Sequence, residues 1–175
     1  MGNYGISNDL NVMIGLPYVW TNSNVSYITG QKGVQDLFIF LKYQAFEGEG
    51  LGGAFKLQGT GGLSAPVSNY TPDLLPFSIG LHSKTASLRA ILNYTADFGL
   101  YLTAQAGHTW RSTTKIDHNS YFFDNELIYS DIMPVPNLFD YSTRLGFIKP
   151  RYQAEIWYDS FSGITGDDIR YNETP

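Results

Sequence analysis

The residues of this sequence best placed to do chemistry are charged and aromatic side chains that alternate with apolar ones. Asp36, Phe38, Phe40 and Lys42, for example, occupy every second position of one segment. Successive side chains of a β-strand point to opposite faces, so these four would share one face of a strand. A face that mixes rings with both signs of charge can bind a small, partly apolar solute. For each residue the alternative is that it merely fills and rigidifies a small barrel. Alternation predicts the following inward-facing set: Asp36, Phe38, Phe40, Lys42, Lys56, Arg89, Tyr101, Arg111, Arg144, Glu155 and Trp157.

No spacing in the sequence predicts catalysis or a bound cofactor. The glycine-rich run at residues 51–62 lacks the Gly-Lys-Ser/Thr of a phosphate-binding loop, and its alternation predicts a strand. We expect its glycines to relieve curvature or to admit a close neighbour. His82, His108 and His118 are too scattered for a metal site, and no serine and histidine share an inward face as a nucleophile–base pair. The acidic residues between positions 117 and 131 lack the regular spacing of a calcium loop, so we interpret them as a solvated loop. We therefore expect no enzyme activity, no cofactor and no metal.

Strands must position the alternating side chains. In the opening strand, Leu10, Val12, Ile14, Leu16, Tyr18 and Trp20 would form one apolar face eleven residues long. A tilted strand needs about 9–11 residues to cross a bilayer. The strands predicted by alternation are Leu10–Trp20, Gln35–Phe46, Gly53–Leu63, Ala86–Thr95, Leu100–Arg111, Asp140–Ile148 and Tyr152–Asp159, with a strand stub at Met1–Ile6.

Connections between these segments alternate between short and long. Short turns at residues 7–9, 47–50, 96–99 and 149–151 alternate with longer segments that are rich in Pro, Asn or Gly. These are a polar loop at residues 21–33, a segment at about residues 64–83 that we call the first long connection, and one at about residues 112–139 that we call the second. Short turns at one rim and long loops at the other are typical of outer-membrane barrels. The sequence therefore predicts an all-β protein, an antiparallel meander transmembrane β-barrel with about eight strands present. A soluble β-sandwich or a lipocalin-like barrel, with the apolar faces as an internal core, is the alternative.

Composition agrees with this class. The chain has 175 residues, with 13 Tyr, 11 Phe and 18 Gly against only 15% charged residues, which suits strands with interfacial rings. No apolar run approaches the roughly 20 residues of a membrane-spanning helix. The net charge of −5 and the absence of a basic cluster argue against a nucleic-acid partner. With no cysteine, disulfides and thiolate metal sites are excluded.

Aromatic residues near the strand ends predict belts at the two membrane interfaces. His108 lies on the same predicted face as one of them, two positions before it, so we expect it at an interface as well. Aromatic residues scattered through a soluble core are the alternative. The predicted belt residues are Tyr18, Trp20 and Trp110 near the long loops, and Tyr43, Tyr94 and Tyr152 near the short turns.

Three segments, in order, resemble a bacterial outer-membrane family named for the meta-pathway of phenol degradation and described as transporters. They are YGISNDLNVMIGLPYV, GVQDLFIFLKYQ and GGLSAPVSNY, and the similarity extends from Tyr4 to about Trp157. The resemblance implies an outer-membrane barrel that passes small, partly hydrophobic or aromatic solutes. Members of that family are longer and carry a signal peptide and further strands. We therefore expect residues 1–175 to be a single barrel domain that is incomplete at both ends.

The expected function is that of an outer-membrane channel or transporter, with the lipid bilayer and a small solute as partners. A structural or surface-binding barrel with a plugged lumen is the alternative. One contact follows from strand pairing. Proline prefers the first central position of a turn, so a Pro150–Arg151 turn is favoured and places Arg144 diagonal to Glu155. We expect these two side chains to form an ion pair, direct or bridged by water.

Overall fold

The computed structural model describes residues 1–22, 32–70, 72, 78–123 and 126–164. This part of the chain is built from β-strands with connecting turns and loops. None of its residues belongs to a helix long and apolar enough to span a membrane. The strands are β1 (Gly2–Gly5), β2 (Leu10–Gly15), β3 (Tyr18–Trp20), β4 (Lys32–Val34), β5 (Asp36–Glu49), β6 (Gly53–Pro66), β7 (Thr85–Ala96), β8 (Leu100–Arg111), β9 (Thr114–Lys115), β10 (Tyr121–Phe123), β11 (Glu126–Ile128), β12 (Ile132–Met133), β13 (Leu138–Lys149) and β14 (Tyr152–Gly163).

Eight of these strands form one antiparallel sheet in the order β1-β2-β5-β6-β7-β8-β13-β14. Each long strand pairs with the next long strand along the chain, so the sheet is a meander, as alternation predicts. β8 has the predicted bounds, and β5, β6, β7, β13 and β14 extend one to four residues beyond theirs at one or both ends. In the described chain β1 and β14 each have one hydrogen-bonded neighbour, so the sheet is open at these two edges.

The opening strand was predicted to run unbroken to Trp20, and that prediction is wrong. β2 ends at Gly15, and β3 pairs with β4 in a separate two-stranded ribbon. Pro17 lies between them, and a proline has no N–H to donate to a strand ladder. Its carbonyl still accepts a hydrogen bond from the Gln35 N–H at 2.9 Å, so the ribbon continues the β2–β5 pair after a break. Residues 23–31, at the predicted loop, lie outside the described residues.

The second long connection also differs from the prediction of a plain loop. β9 pairs with β12, and β10 pairs with β11, so residues 114–133 carry two small ribbons. They give main-chain N–H and C=O groups partners within this connection. Short, weakly alternating strands of this kind carry too little pattern to be recognised from the sequence.

A β-bulge shifts the faces of β5 near its end. Gln44 pairs with Gln58 and Phe46 with Leu57, leaving Ala45 unpaired. Beyond the bulge the side-chain alternation is displaced by one residue, so Phe46 points to the same side as Tyr43, and Glu47 to the side of Gln44. This displacement brings the Glu47 carboxylate to the Lys56 ammonium at 2.9 Å.

Cross-strand pairing defines two faces of the sheet. What we call the apolar face carries Ile14, Ile39, Leu88, Leu102 and Ile156 among others, and the polar face carries the charged residues. Large side chains of the apolar face are exposed on each of the seven strands of this sheet from β2 to β14. The exposed fraction is 48% for Ile14, 61% for Leu88 and 79% for Ile156. Soluble monomers rarely expose apolar patches of more than a few hundred Å².

Buried apolar side chains lie mostly outside the sheet, in the long connections. Tyr70, Ile79, Ile116 and Val135 are each less than 9% exposed, whereas in the sheet only Ala96 is as deeply buried among the described apolar residues other than glycine. A soluble sandwich would place its core between faces of its sheets, so this distribution argues against that alternative.

Tyr70 fastens the first long connection to the sheet. Its hydroxyl donates to the Asp36 carboxylate and accepts from the His82 N–H at 3.1 Å, and its ring packs edge-on against the His82 ring at 4.9 Å. Burial, followed by the hydrogen bond to Asp36, raises the pKa of the Tyr70 hydroxyl well above its ordinary value. The buried Ser83 hydroxyl donates to the Ser112 carbonyl at 2.7 Å and so ties this connection to the next.

Candidate functional site

The candidate site is a cavity of about 450 Å³ on the polar face. Its walls include residues of β2, β5, β6, β7, β8 and β13, which are six neighbouring strands. A single cavity can span six strands only if the sheet curves toward this face. The lining residues on β2 and β5 are apolar, and those on β7, β8 and β13 are mostly polar. The full lining is Met1, Met13, Phe38, Phe40, Thr60, Ser87, Leu88, Arg89, Ile91, Gln105, Gly107, His108, Thr109 and Asp140.

An ion pair lies on the polar side of the cavity. The Arg89 guanidinium approaches the Asp140 carboxylate with Nη2 and Oδ2 2.6 Å apart, and the side chains are 37% and 18% exposed. Arg89 on β7 and Asp140 on β13 are separated by β8, where Gly107 pairs with both. A Cβ at Gly107 would lie 3.0 Å from Arg89 Nε and 3.0 Å from Asp140 Oδ1, so glycine allows the pair to bridge across the middle strand.

Two phenylalanine rings form the apolar side. The centroids of Phe38 and Phe40 are 5.6 Å apart in an edge-on arrangement. Each ring approaches a glycine of a neighbouring strand closely, Phe38 at Gly15 on β2 and Phe40 at Gly62 on β6, where a Cβ would overlap the ring. The sequence predicted that glycines of the 51–62 run admit a close neighbour, and for Gly62 this is confirmed.

Below the cavity, toward the short turns, the polar face continues as rows of hydrogen-bonded side chains. Gln105 Nε2 donates to the Ser142 hydroxyl at 2.9 Å, and Asn93 Nδ2 donates to the Thr103 hydroxyl at 2.7 Å. The Lys56–Glu47 ion pair closes this end on β5 and β6. These contacts satisfy polar groups along the strands, and they separate the Arg89–Asp140 pair from the second ion pair.

Tyr101 is the partner of Glu155. The Tyr101 hydroxyl donates to Glu155 Oε2 and accepts from Gln153 Nε2 at 3.1 Å, while its ring lies over Gly146. The hairpin has the favoured register, with Lys149 opposite Tyr152 and Arg144 opposite Trp157, so Arg144 is diagonal to Glu155 as predicted. The direct form of the predicted ion pair between Arg144 and Glu155 is wrong, because the carboxylate binds the Tyr101 hydroxyl on β8, two strands away. The water-bridged form stays a prediction.

The register places all eleven predicted inward-facing residues on the polar face. The cavity brings three of them together, Phe38, Phe40 and Arg89. Asp140 and Gly107 line the cavity but were not among the predicted inward-facing residues. Asp140 shares the parity of Arg144, and this was a usable signal. Gly107 became recognisable only when its two neighbours were known. Asp36 binds Tyr70, Arg111 donates to the Pro136 carbonyl at 3.3 Å, and the others lie nearer the short turns or the β14 edge: Lys42, Lys56, Tyr101, Arg144, Glu155 and Trp157.

Five of the six predicted belt residues are near strand ends or on the β3–β4 ribbon, whereas Tyr43 lies in the middle of β5, because that strand continues to Glu49. Tyr18 and Trp20 are exposed and adjacent on the β3 ribbon, with ring centroids 6.4 Å apart. Tyr94 packs against Phe55 at 4.5 Å and donates to the Leu51 carbonyl in the short turn. The remaining three are exposed on the apolar face: Tyr43, Trp110 and Tyr152. His108 lies beside Trp110, with the two rings 4.4 Å apart, which confirms their shared face. That these rings meet a membrane interface stays a prediction.

Within the described ranges, no three His, Asp or Glu side chains come together as a metal site would require. Asp131 of the acidic loop pairs with Lys115 at 3.1 Å. Asp124, in the same loop, lies outside the described residues. The cavity offers a solute hydrogen bonds from Arg89 and to Asp140, and ring contacts with the phenylalanines.

Comparison with known proteins agrees with the family resemblance of the three sequence segments described above. The family model described as "Putative MetA-pathway of phenol degradation" matches residues 2–174. The chain belongs to this family. No curated protein and no solved structure matches the chain. Family membership covers the whole sheet and the cavity, so the residues above belong to the family's region of the sequence.

Proposed function

We propose that this chain forms the wall of a bacterial outer-membrane channel or transporter for small, partly hydrophobic solutes, and that it acts without catalysis. The observation that carries the proposal is the division of one sheet into two faces. The apolar face exposes large side chains on seven neighbouring strands from β2 to β14, which suits lipid, while the polar face holds a cavity with rings on one side and an ion pair on the other.

In a bilayer every main-chain N–H and C=O group needs a partner within the protein. In the meander the inner strands find these partners on both sides, whereas the outer edges of β1 and β14 still need hydrogen-bond partners. The proposal therefore assigns these two edges to a closed barrel with further strands. The alternation of short turns and long connections gives such a barrel one bare rim and one rim covered by loops.

The family description adds a coarse indication of the solute. Phenolic compounds are small aromatic molecules with a polar group, and this is the chemistry that Phe38, Phe40 and Arg89 offer in the cavity. Passage through a lumen needs contacts that are favourable and exchangeable. A cavity of 450 Å³ with both ring and polar contacts meets that need.

Two measurements test the proposal. The protein should fractionate with the outer membrane and migrate differently in detergent gels before and after heating. Reconstituted in liposomes, it should admit benzyl alcohol faster than protein-free liposomes do. Recovery as a detergent-independent soluble monomer contradicts the membrane assignment, and liposomes no more permeable than the control contradict passage.

One observation favours a second function, a structural or surface-binding barrel with a blocked lumen. Tyr70 fastens residues of the first long connection to Asp36 on the polar face, two positions before Phe38. A loop that is buried at this rim could obstruct the lumen. Proteoliposomes that are sealed to ions and admit benzyl alcohol no faster than protein-free liposomes, with the protein correctly inserted, would favour this function.

A further inference from the structure

We infer that the Arg89–Asp140 ion pair makes the polar-face cavity selective for uncharged solutes: the site binds a neutral aromatic molecule with a hydrogen-bonding group and rejects both carboxylates and ammonium ions. The inference rests on the proposed function, because it assigns a selectivity to the same cavity. It goes beyond that function by naming the charge of the solute and the two residues that determine it.

The geometry of the pair is the starting point. Arg89 and Asp140 are in direct contact at 2.6 Å, and both are more than half buried. Gly107 lies between the two side chains, and a Cβ at this position would come within 3.0 Å of both, so a larger residue would require them to shift. Both residues line the cavity, so a solute seated there meets the two charges together rather than a single cation or anion.

A charged solute gains from one partner and is repelled by the other. A carboxylate that approaches Arg89 must displace or adjoin the Asp140 carboxylate, and two adjacent carboxylates in a partly dry site are unfavourable. An ammonium ion at Asp140 meets the Arg89 guanidinium in the same way. Displacing either partner leaves a half-buried charge without compensation, and this is the costly outcome for any buried pair.

A neutral solute avoids this cost. The guanidinium has five N–H donors and the carboxylate accepts at about four sites, so the contact between them leaves donors and acceptors to spare. An amide or hydroxyl group can accept from Arg89 and donate to Asp140 without breaking the ion pair. Lys42 lies on the same cross-strand row, one strand beyond Thr60, and outside the cavity lining, so a solute seated in the cavity does not contact it.

The opposite wall selects an aromatic body. Phe38 and Phe40 present two rings edge-on to each other, with Met13 beside them. Aromatic rings favour further rings in offset or edge-on contact. A cavity of about 150 Å³ suffices for benzene in a protein core. The volume here, about 450 Å³, admits one ring, its polar substituent and water.

Three probes of equal size and different charge test the inference: benzamide, benzoate and benzylammonium. Binding to the detergent-solubilised protein is measured by calorimetry or by competition. Wild-type protein should bind benzamide at least about tenfold more tightly than either ion, a difference of about 1.4 kcal/mol. Benzoate binding equal to or tighter than benzamide binding by the wild type would overturn the inference without any variant.

Two variants assign the selectivity. Asp140→Asn removes the negative partner and should strengthen benzoate binding about tenfold while benzamide binding changes little. Arg89→Gln should do the same for benzylammonium. Glu47→Gln is the matched control: it removes one charge from the Lys56–Glu47 pair, which is on the same face but outside the cavity, and should leave all three affinities unchanged.

Equal effects of Asp140→Asn and Glu47→Gln would overturn the inference, because selectivity would then follow the net charge of the face. Absence of binding of all three probes by folded wild-type protein would overturn it as well. Failure of the proposed function looks different: the probes bind with the stated order, but liposomes that contain the protein admit benzamide no faster than protein-free liposomes.

Discussion

The Phe40 ring packs against Gly62 so closely that a side chain at residue 62 would overlap it. A Cβ at Gly62 would lie within 2.9 Å of three Phe40 ring atoms, including Cγ, so the whole ring must move rather than its tip. At the adjacent position, Gly61, a Cβ would meet only Leu88 Cδ1 at 3.8 Å among side-chain atoms, an ordinary van der Waals contact. Gly62→Ala and Gly61→Ala are therefore a matched pair on the same strand.

Both variants replace a strand glycine, and each gains about 0.5–1 kcal/mol from the lower backbone entropy of the unfolded chain. This gain cancels when the two are compared. What remains is the overlap with Phe40, for which overpacking costs about 1–3 kcal/mol. We expect Gly62→Ala to be less stable than Gly61→Ala by that amount, and to bind benzamide more weakly because the ring wall is displaced.

The assay is equilibrium unfolding in urea of the protein folded in lipid vesicles, followed by the fluorescence of its three tryptophans. The double variant Phe40→Ala/Gly62→Ala gives the interaction energy, since removing the ring should abolish most of the penalty at Gly62. A difference between the two glycine variants of less than about 0.5 kcal/mol, or an unchanged penalty in the double variant, would refute the reasoning.

Two further predictions concern other contacts. Tyr70→Phe should destabilise the protein by about 1–3 kcal/mol below pH 9, because the Asp36 carboxylate, a charged acceptor, loses the hydrogen bond that the Tyr70 hydroxyl donates. Folding raises the pKa of the Tyr70 hydroxyl. The hydrogen bond therefore contributes fully to wild-type stability below the unfolded-state pKa, near 10, and the contribution is lost as the pH rises toward the folded-state pKa. The stabilities of wild type and Tyr70→Phe, measured against pH, should converge over that range. In this cysteine-free chain, the pair Arg144→Cys/Trp157→Cys should oxidise to a disulfide faster than Arg144→Cys/Glu155→Cys, since only the first pair is directly opposite; equal rates would contradict the register.

Local alternation predicted a large part of the fold. β8 follows a strict apolar–polar alternation from Leu100 to Arg111 and has the predicted bounds. The turn at Pro150–Arg151 follows from the preference of proline for the first central turn position, and with it the register of β13 against β14. Both depend on neighbours in sequence, which is why a sequence reveals them.

Features that depend on a neighbouring strand were missed or mispredicted. Arg144 was matched to Glu155 on the next strand, but Glu155 reaches Tyr101 across Gly146, two strands away. The Ala45 bulge and the break at Pro17 interrupt alternation that continues without a gap in the sequence. The Arg89–Asp140 pair needs Gly107 between its members, and three strands must be in register before that is visible.

The most direct test of the central claim compares neighbouring residues on β7. Both residues border the cavity, but alternation points the Ser87 side chain to the polar face, while the Leu88 side chain is exposed on the apolar face. Because the chain has no cysteine, single variants Ser87→Cys and Leu88→Cys can each carry one nitroxide label in reconstituted vesicles. The account predicts that the label at 88 is relaxed strongly by oxygen, which concentrates in lipid, and the label at 87 by a water-soluble nickel chelate. Equal relaxation of both labels by the nickel chelate would contradict a lipid-facing sheet.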